Sequence, residues 1–359
     1  MIDASAERWP VERALDWQAR EGWLVGFNYL PRSAVNWTEL WQAESFDLAT
    51  IEQELAWARD IGLNALRTNL QYLVWQDDPA GLRARLDRFL GVAAASGIRV
   101  MLCPFDDCAF SGREPYLGRQ DDPIPGVHNG GAAASPGRVV VRDRARWPDL
   151  ERYVRDVVGH FRDDARIVTW DLYNEPGNDF VFTRRTLPDE GDPLWRHSMA
   201  LARASFGWAR AVVPTQPLTA GVWSLEWQAR EADLPALSDV TSFHSYLPLE
   251  PVAAQVELLR AEGRPILCIE WLARGLGSCA ASHLPWFAAQ RIGCFHWGLV
   301  NGRTQTHLPW PTFESLYPDG RWHHDLLHAD GTPYDAEEIA VFRHWCARAV
   351  RRSAQHPKG

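Results

Sequence analysis

The chain has 359 residues, with 37 Lys and Arg against 46 Asp and Glu and a formal net charge of −9. That acidic balance argues against a nucleic-acid face, which needs a clustered basic surplus, and no apolar run approaches the ~20 residues needed to span a bilayer. Hydrophobic residues at 46% and charged residues at 23% are the proportions of an ordinary globular protein.

The N-terminus has no apolar segment of the secretory type, so a cytoplasmic protein is expected. Of six cysteines, Cys103, Cys268 and Cys294 lie in apolar, strand-like runs and read as reduced thiols packed as small hydrophobes. No Cys-x-x-Cys pair is present to suggest a zinc ribbon or redox motif. Nineteen tryptophans are the compositional outlier. Their flat faces suit the C–H faces of sugar rings as well as an aromatic core.

In chain order, residues 1–21 are polar with Trp9, Val11, Leu15 and Trp17 interspersed, a short helix or arm covering the bottom of the fold. Gly22 to Tyr29 reads as a first strand, and Leu48, Ile51, Leu55, Ala58 and Ile61 recur at helical spacing. Leu63 to Asn69 is a second strand ending in Arg67-Thr68-Asn69. Asp78-Pro79 starts a helix, with Asp as cap and Pro in the first turn. Ile98 to Phe105 is a third strand ending in Asp106-Asp107. Residues 105–146 are long, rich in Gly and Pro and without periodicity. A loop of that length in a compact domain is usually functional or disordered; its aromatic and acidic content is read here as a wall or lid over a site.

Pro148 opens the next helix. Then comes Ile167 to Asn178, an apolar run closing in Asn174-Glu175-Pro176. A glutamate at the mouth of a buried strand is costly unless it is paired or used. Asp192-Pro193 starts a helix reaching about Val213. Pro217 to Trp223, Asp239 to Tyr246, Pro265 to Trp271 and Ile292 to Val300 are the remaining strands, with helices over 251–262 and 280–290. The last helix is capped by Asp335 with Glu338 three residues on.

Eight strands alternating with helices predict an α/β fold, one domain over 1–359 forming a single (β/α)8 TIM barrel with long loops at its C-terminal face. A doubly wound sheet would want a Gly-rich phosphate turn after an early strand, and none is present. In a barrel the strand ends share one mouth, where active sites sit. Those ends carry Arg67, Asn69, Asp106, Asp107, Asn174, Glu175, Trp223, Glu226, His244, Tyr246, Glu270, Trp271 and Trp297. Two glutamates on different strands suggest paired carboxylates facing one reaction centre.

Asn174-Glu175-Pro176, His244-x-Tyr246, Glu270 and Trp297, together with Arg67, resemble the pattern of glycoside hydrolase clan A, closest to the family 5 cellulase- and mannanase-like enzymes. The resemblance runs from about Trp23 to Val300. It implies a retaining β-glycosidase with Glu175 as general acid/base and Glu270 as nucleophile. It further implies that Asn174 bonds the sugar 2-hydroxyl, that Arg67 and Tyr246 hold Glu270 ionised, that His244 tunes the acid and that Trp297 floors the reacting subsite. Family 5 enzymes commonly carry a histidine after strand three. Here the run is Asp106-Asp107-Cys108, an acidic pair expected to contact the sugar differently.

The expected partner is an oligosaccharide of the β-mannoside or β-glucoside type. Long walls favour short chains cut from an end, and an open cleft would favour endo-cleavage of polymer. Two other readings are a catalytically inactive carbohydrate-binding barrel and a metal-dependent hydrolase using His323-His324-Asp325, or Asp106-Asp107 with His128. A binding protein needs neither glutamate, and no compact ligand motif is present, so no metal or cofactor is expected. The oligomeric state is open. Trp37, Trp75, Trp310 and Trp322 join Trp223 and Trp271 as candidates for neighbouring subsites.

Overall fold

The protein is described from a computed structural model covering residues 7–183 and 192–354. Its central sheet has eight parallel strands. In chain order they are β1 (Val25–Asn28), β2 (Ala65–Asn69), β3 (Arg99–Cys103), β4 (Ile167–Asp171), β5 (Leu218–Thr219), β6 (Thr241–His244), β7 (Ile266–Trp271) and β8 (Gly293–Trp297). Each pairs with its sequence neighbour from β1 to β5 and from β6 to β8, and β1 pairs with β8. The ring closes between β5 and β6 through Val222, which bridges Phe243 beyond the short β5. The Val222 N–H donates to Ser242 O at 3.1 Å, and the His244 N–H donates to Val222 O at 2.9 Å. This is a (β/α)8 barrel.

The strand runs form strands because both of their faces are covered. Ala65, Met101, Val168, Val240, Leu267, Ile269 and Phe295 form one buried cluster with Trp9 and Trp17 of the N-terminal segment. The helix Val11–Glu21 therefore covers the barrel floor, with the Trp17 indole N–H donating to Val168 O at 3.2 Å. The alternate residues, among them Leu66, Val100, Leu102 and Cys268, pack outward against the helical layer.

The helices start where capping chemistry predicts. The Asp78 side chain accepts from the Gly81 N–H at 2.8 Å, and Pro79 opens the first turn. The Asp335 side chain accepts from Glu337 N and Glu338 N at the head of the last helix, Ala336–Ala354. Among the described residues no helix is long and apolar enough to cross a membrane.

Register decides where side chains meet. Asn28 pairs with Arg67 on one side and Trp297 on the other, and His244 pairs with Glu270. All five stand at the C-terminal ends of their strands, on the rim of the barrel mouth.

Candidate active site

Arg67 is the hub of the rim, fully buried in the barrel mouth. Its Nη1 donates to Glu270 Oε1 at 2.8 Å and to Asn28 Oδ1 at 2.8 Å. Its Nε and Nη2 both donate to Asp171 Oδ2, at 2.8 and 2.6 Å, and Nη2 also reaches Asn174 Oδ1 at 2.6 Å. A buried guanidinium is tolerated because every partner is an acceptor and two are carboxylates. The other Glu270 oxygen, Oε2, accepts from Tyr246 OH at 2.7 Å.

Glu175 faces this group from β4. Its backbone takes a left-handed φ of 46°, which a non-glycine residue adopts at a cost of roughly 1–3 kcal/mol. The turn that follows requires Gly177: at φ 87° it lies so close to Trp195 that an added Cβ would sit 2.4 Å from the Trp195 Cβ. Glu175 Oε2 accepts from Asn178 Nδ2 at 2.6 Å and lies 3.2 Å from Cys108 Sγ. Glu175 Oε1 lies 2.9 Å from His244 Nδ1, and the same Nδ1 is 3.4 Å from Glu270 Oε2. The two glutamates thus bring oxygens within 4.8 Å of each other.

Burial raises both carboxyls above their usual range, and different neighbours oppose it. For Glu175 the opposing groups are the Asn178 and Cys108 hydrogen bonds and, after them, the charge of Arg67, while the charge of Asp106 adds to the upward push. For Glu270, His244 when protonated, Arg67 and Tyr246 favour the charged form, while the charge of Glu175 adds to the upward push. Burial also brings His244 down to about 4, so its ring is neutral at neutral pH.

The cleft above these groups measures about 740 Å³, and Trp297, Trp223, Trp37 and Trp310 line it. Trp75 lies outside it, its indole N–H bonded to Asp156 at 2.7 Å. Trp322 stacks on Tyr334 with ring centroids 4.4 Å apart and lies outside as well.

Three of the expected sugar contacts are corrected. Trp271 is fully buried on the far side of its strand, stacked against His283 and Phe342. The β7 ladder slips by one residue, Cys268 facing Phe243 but Glu270 facing His244. That bulge turns Glu270 to the mouth and Trp271 outward. Asp107 is buried behind the rim, accepting from Tyr173 OH at 2.8 Å and from the Gly177 N–H at 2.6 Å. Burial brings it up to about 6. It holds the turn after Glu175 and touches no part of the cleft.

Asp106 borders the cleft, but its oxygens already accept from Trp37 Nε1, Asn69 Nδ2, Asn174 Nδ2 and the Cys108 N–H. Four donors fill a carboxylate's acceptor sites. Asp106 therefore positions Trp37 and Asn174 in place of a sugar contact.

Asn28, Cys108, Asp171 and Asn178 were missed by the sequence reading. Asn28 and Asp171 are polar residues at strand ends, the same signal that marks Arg67. Cys108 and Asn178 sit in turns, and no sequence pattern announces that both reach Glu175.

Among the described residues one group of possible metal ligands converges: Glu175, His244 and Glu270. The set does not suit a cation. Arg67 already stands against Glu270, and Tyr246 and Asn178 donate to the oxygens a metal would need. Among the described residues neither His323, His324 and Asp325 nor Asp106, Asp107 and His128 form such a converging group.

No family model matches the chain, and no curated protein does. Solved structures do. A GH5_18 protein from Streptomyces cattleya, in complex with Manβ1-4GlcNAc, superimposes with a TM-score of 0.62 at 16% identity, covering 93% of this chain and 82% of its own. The exo-β-1,4-mannosidase Op5Man5 from Opitutaceae bacterium strain TAV5 gives 0.60 at 17% identity, covering 98% of this chain. This chain spans 63% of that enzyme's length. The endo-1,4-β-mannanase from Rhizomucor miehei gives 0.59 at 12% identity, covering 92% and 95%. The chain shares the barrel fold of these glycosidases.

Proposed function

We propose that this protein is a glycoside hydrolase of the clan A, family 5 type, which cleaves short β-linked oligosaccharides with retention of anomeric configuration. The observation that carries the reading is the carboxylate pair. Oxygens of Glu175 and Glu270 lie within 4.8 Å of one another, close to the roughly 5 Å separation of retaining enzymes and too near for a water to sit between base and sugar.

The neighbours divide the labour. Arg67 and Tyr246 favour ionised Glu270, which attacks the anomeric carbon. Glu175 has an amide, a thiol and a neutral imidazole as partners and no cation in contact. It carries the proton that the leaving oxygen takes as the glycosidic bond breaks. Ionised after that step, Glu175 then draws a proton from the water that releases the sugar from Glu270. Trp297 forms the floor for the reacting ring.

A knitted wall on one side of the cleft supports action on short chains from an end. The Asn129 N–H donates to Thr304 O at 2.7 Å, and Gln305 Nε2 donates to Ile124 O at 2.7 Å. Asn36 Nδ2 donates to Gly131 O at 3.1 Å, and Arg303 Nη1 pairs with Glu39 at 2.6 Å. The long loop after β3, the loop after β1 and the loop after β8 are thus tied into one barrier. A β-mannoside or β-glucoside is the proposed glycon, mannosides first because two of the structural neighbours named above are a mannosidase and a mannanase and the third holds Manβ1-4GlcNAc.

The deciding measurement is proton NMR of the first product released from β-1,4-linked mannosyl and glucosyl oligosaccharides. A β-anomer formed first, one terminal sugar at a time, is expected. An α-anomer formed first makes Glu270 a base and overturns the reading. Glu270→Ala removes nearly all turnover. Glu175→Ala loses about 10²–10⁴-fold, and less for an activated leaving group that needs no proton.

A further inference from the structure

We infer that His244 is a positioning residue that shares one hydrogen between the two glutamates, donating it to Glu270 in the free enzyme and to Glu175 in the glycosyl-enzyme; the inference rests on the two-glutamate reading above. One donor atom stands between two acceptors. His244 Nδ1 lies 2.9 Å from Glu175 Oε1 and 3.4 Å from Glu270 Oε2. Among the described residues these are the two carboxylates within ion-pair reach of the ring. Arg67, Asp171 and Asp106 act on it as charges from farther off.

The other ring nitrogen decides where the hydrogen sits. Nε2 is buried with no hydrogen-bond partner among the described residues. It faces Gly221, where an added Cβ would lie 3.3 Å from it. A hydrogen on Nε2 would be a buried donor with nothing to accept it, whereas on Nδ1 it meets a carboxylate. A neutral ring carries that one hydrogen and no other.

Glu175 holds its own proton on the oxygen that faces this donor. Its Oε2 is occupied by the Asn178 amide at 2.6 Å and by the Cys108 thiol at 3.2 Å. Burial keeps that thiol protonated, so it donates. Oε1 is left to carry the proton of the acid form. An Oε1–H is a weak acceptor and cannot donate to a nitrogen that already bears hydrogen. The His244 N–H therefore turns to ionised Glu270.

Glycosylation moves the charge. Glu270 becomes an ester as its oxygen bonds the anomeric carbon. The leaving oxygen keeps the bonding pair and takes the Oε1 proton, so Glu175 is left ionised and the N–H meets its Oε1. Water then attacks the anomeric carbon, gives a proton to Oε1 and frees ionised Glu270, and the N–H returns. Each carboxylate is supported while it is charged. Glu270 has Arg67 and Tyr246 besides, so the shared hydrogen matters more to Glu175.

The test isolates the two steps with a dinitrophenyl 2-fluoro-β-mannoside, and the glucoside in parallel, whose leaving group needs no proton. The rate of inactivation reports glycosylation. The return of activity after excess reagent is removed reports deglycosylation. Both are first-order constants, independent of how much of a variant is folded. In His244→Leu the acid limb of deglycosylation, which needs ionised Glu175, should move to higher pH by about one unit, a roughly tenfold slower step below that limb. The acid limb of glycosylation, set by Glu270, should move by less than about half as much. His244→Asn, whose amide places an N–H near that of Nδ1, should return the deglycosylation limb to within about 0.3 unit of wild type. Equal shifts of both limbs, no shift of the deglycosylation limb, or a shift that His244→Asn leaves in place would each overturn the inference and leave the glycosidase reading standing. A wild-type protein that hydrolyses neither glycoside series, or hydrolyses them without forming the covalent intermediate, overturns the two-glutamate reading and this inference with it.

Discussion

The Arg67 guanidinium and the Glu270 carboxylate form a salt bridge of 2.8 Å at the centre of the barrel mouth, with side-chain exposures of 0% and 5%. The same guanidinium holds Asp171, also at 0%. One cation therefore compensates two buried carboxylates. Arg67→Met should destabilise the fold by about 3–5 kcal/mol, the cost of leaving buried charge unpaired. Adding Asp171→Asn and Glu270→Gln should recover part of that loss. Urea unfolding at neutral pH measures both, and a single-variant cost below about 1 kcal/mol would show that the carboxylates do not depend on Arg67.

Tyr246 acts on one limb of the pH profile. Its hydroxyl donates to Glu270 Oε2 and favours the ionised form. In Tyr246→Phe that support is gone, so the Glu270 pKa rises further. In the proposed mechanism Glu270 must be ionised to attack, so the acid limb of kcat/KM should move to higher pH, by up to about one unit. The alkaline limb, set by Glu175, should stay in place. Movement of both limbs together would mean that Tyr246 acts on the pair as a whole.

Trp297 lies at the end of β8 on the cleft surface, where the proposed function has it floor the reacting subsite. Trp297→Ala should raise the barrier by about 2–3 kcal/mol, roughly a 10²-fold loss in kcat/KM, through lost ring contact and looser positioning of the sugar. Unchanged kinetics would return Trp297 to the packing tryptophans.

Asp325 ties stability to pH. It is fully buried beside the cleft, with Thr306 Oγ1 at 3.0 Å from both of its oxygens. Burial pushes it up to about 7, above the ~3.9 of an unfolded aspartate. The folded state then holds a proton that the unfolded state releases, so this contribution to stability is present below about pH 4 and is lost as pH rises through about 7. Asp325 also has a left-handed φ of 47°, which asparagine tolerates. The difference in Tm between Asp325→Asn and wild type should grow in favour of the variant between about pH 4 and 8, read by thermal scans. A difference independent of pH would show that the carboxyl titrates alike in both states.

The alternation of strands and helices, the Asp78 and Asp335 caps and the strand-end Arg67, Glu175, His244 and Glu270 were legible in the sequence. Period, capping chemistry and the cost of a buried charge are local properties, and local pattern carries them. Facing direction at the rim was not. Counting inward residues from Leu267 and Ile269 by strict alternation would send Glu270 outward to the helices and Trp271 into the mouth. One extra residue in the β7 ladder reverses both, and that slip comes from pairing with β6 and β8, residues far off in the chain. The Asp106-Asp107 pair divides in the same way: Asp106 is filled by donors from Trp37, Asn69 and Asn174, and Asp107 by Tyr173 and Gly177. The approach of Cys108 to Glu175, and of Asn129 to Thr304, joins positions 67 and 175 residues apart. Such contacts exist only once the ring of strands has closed and set its loops side by side, so tertiary structure alone decides them.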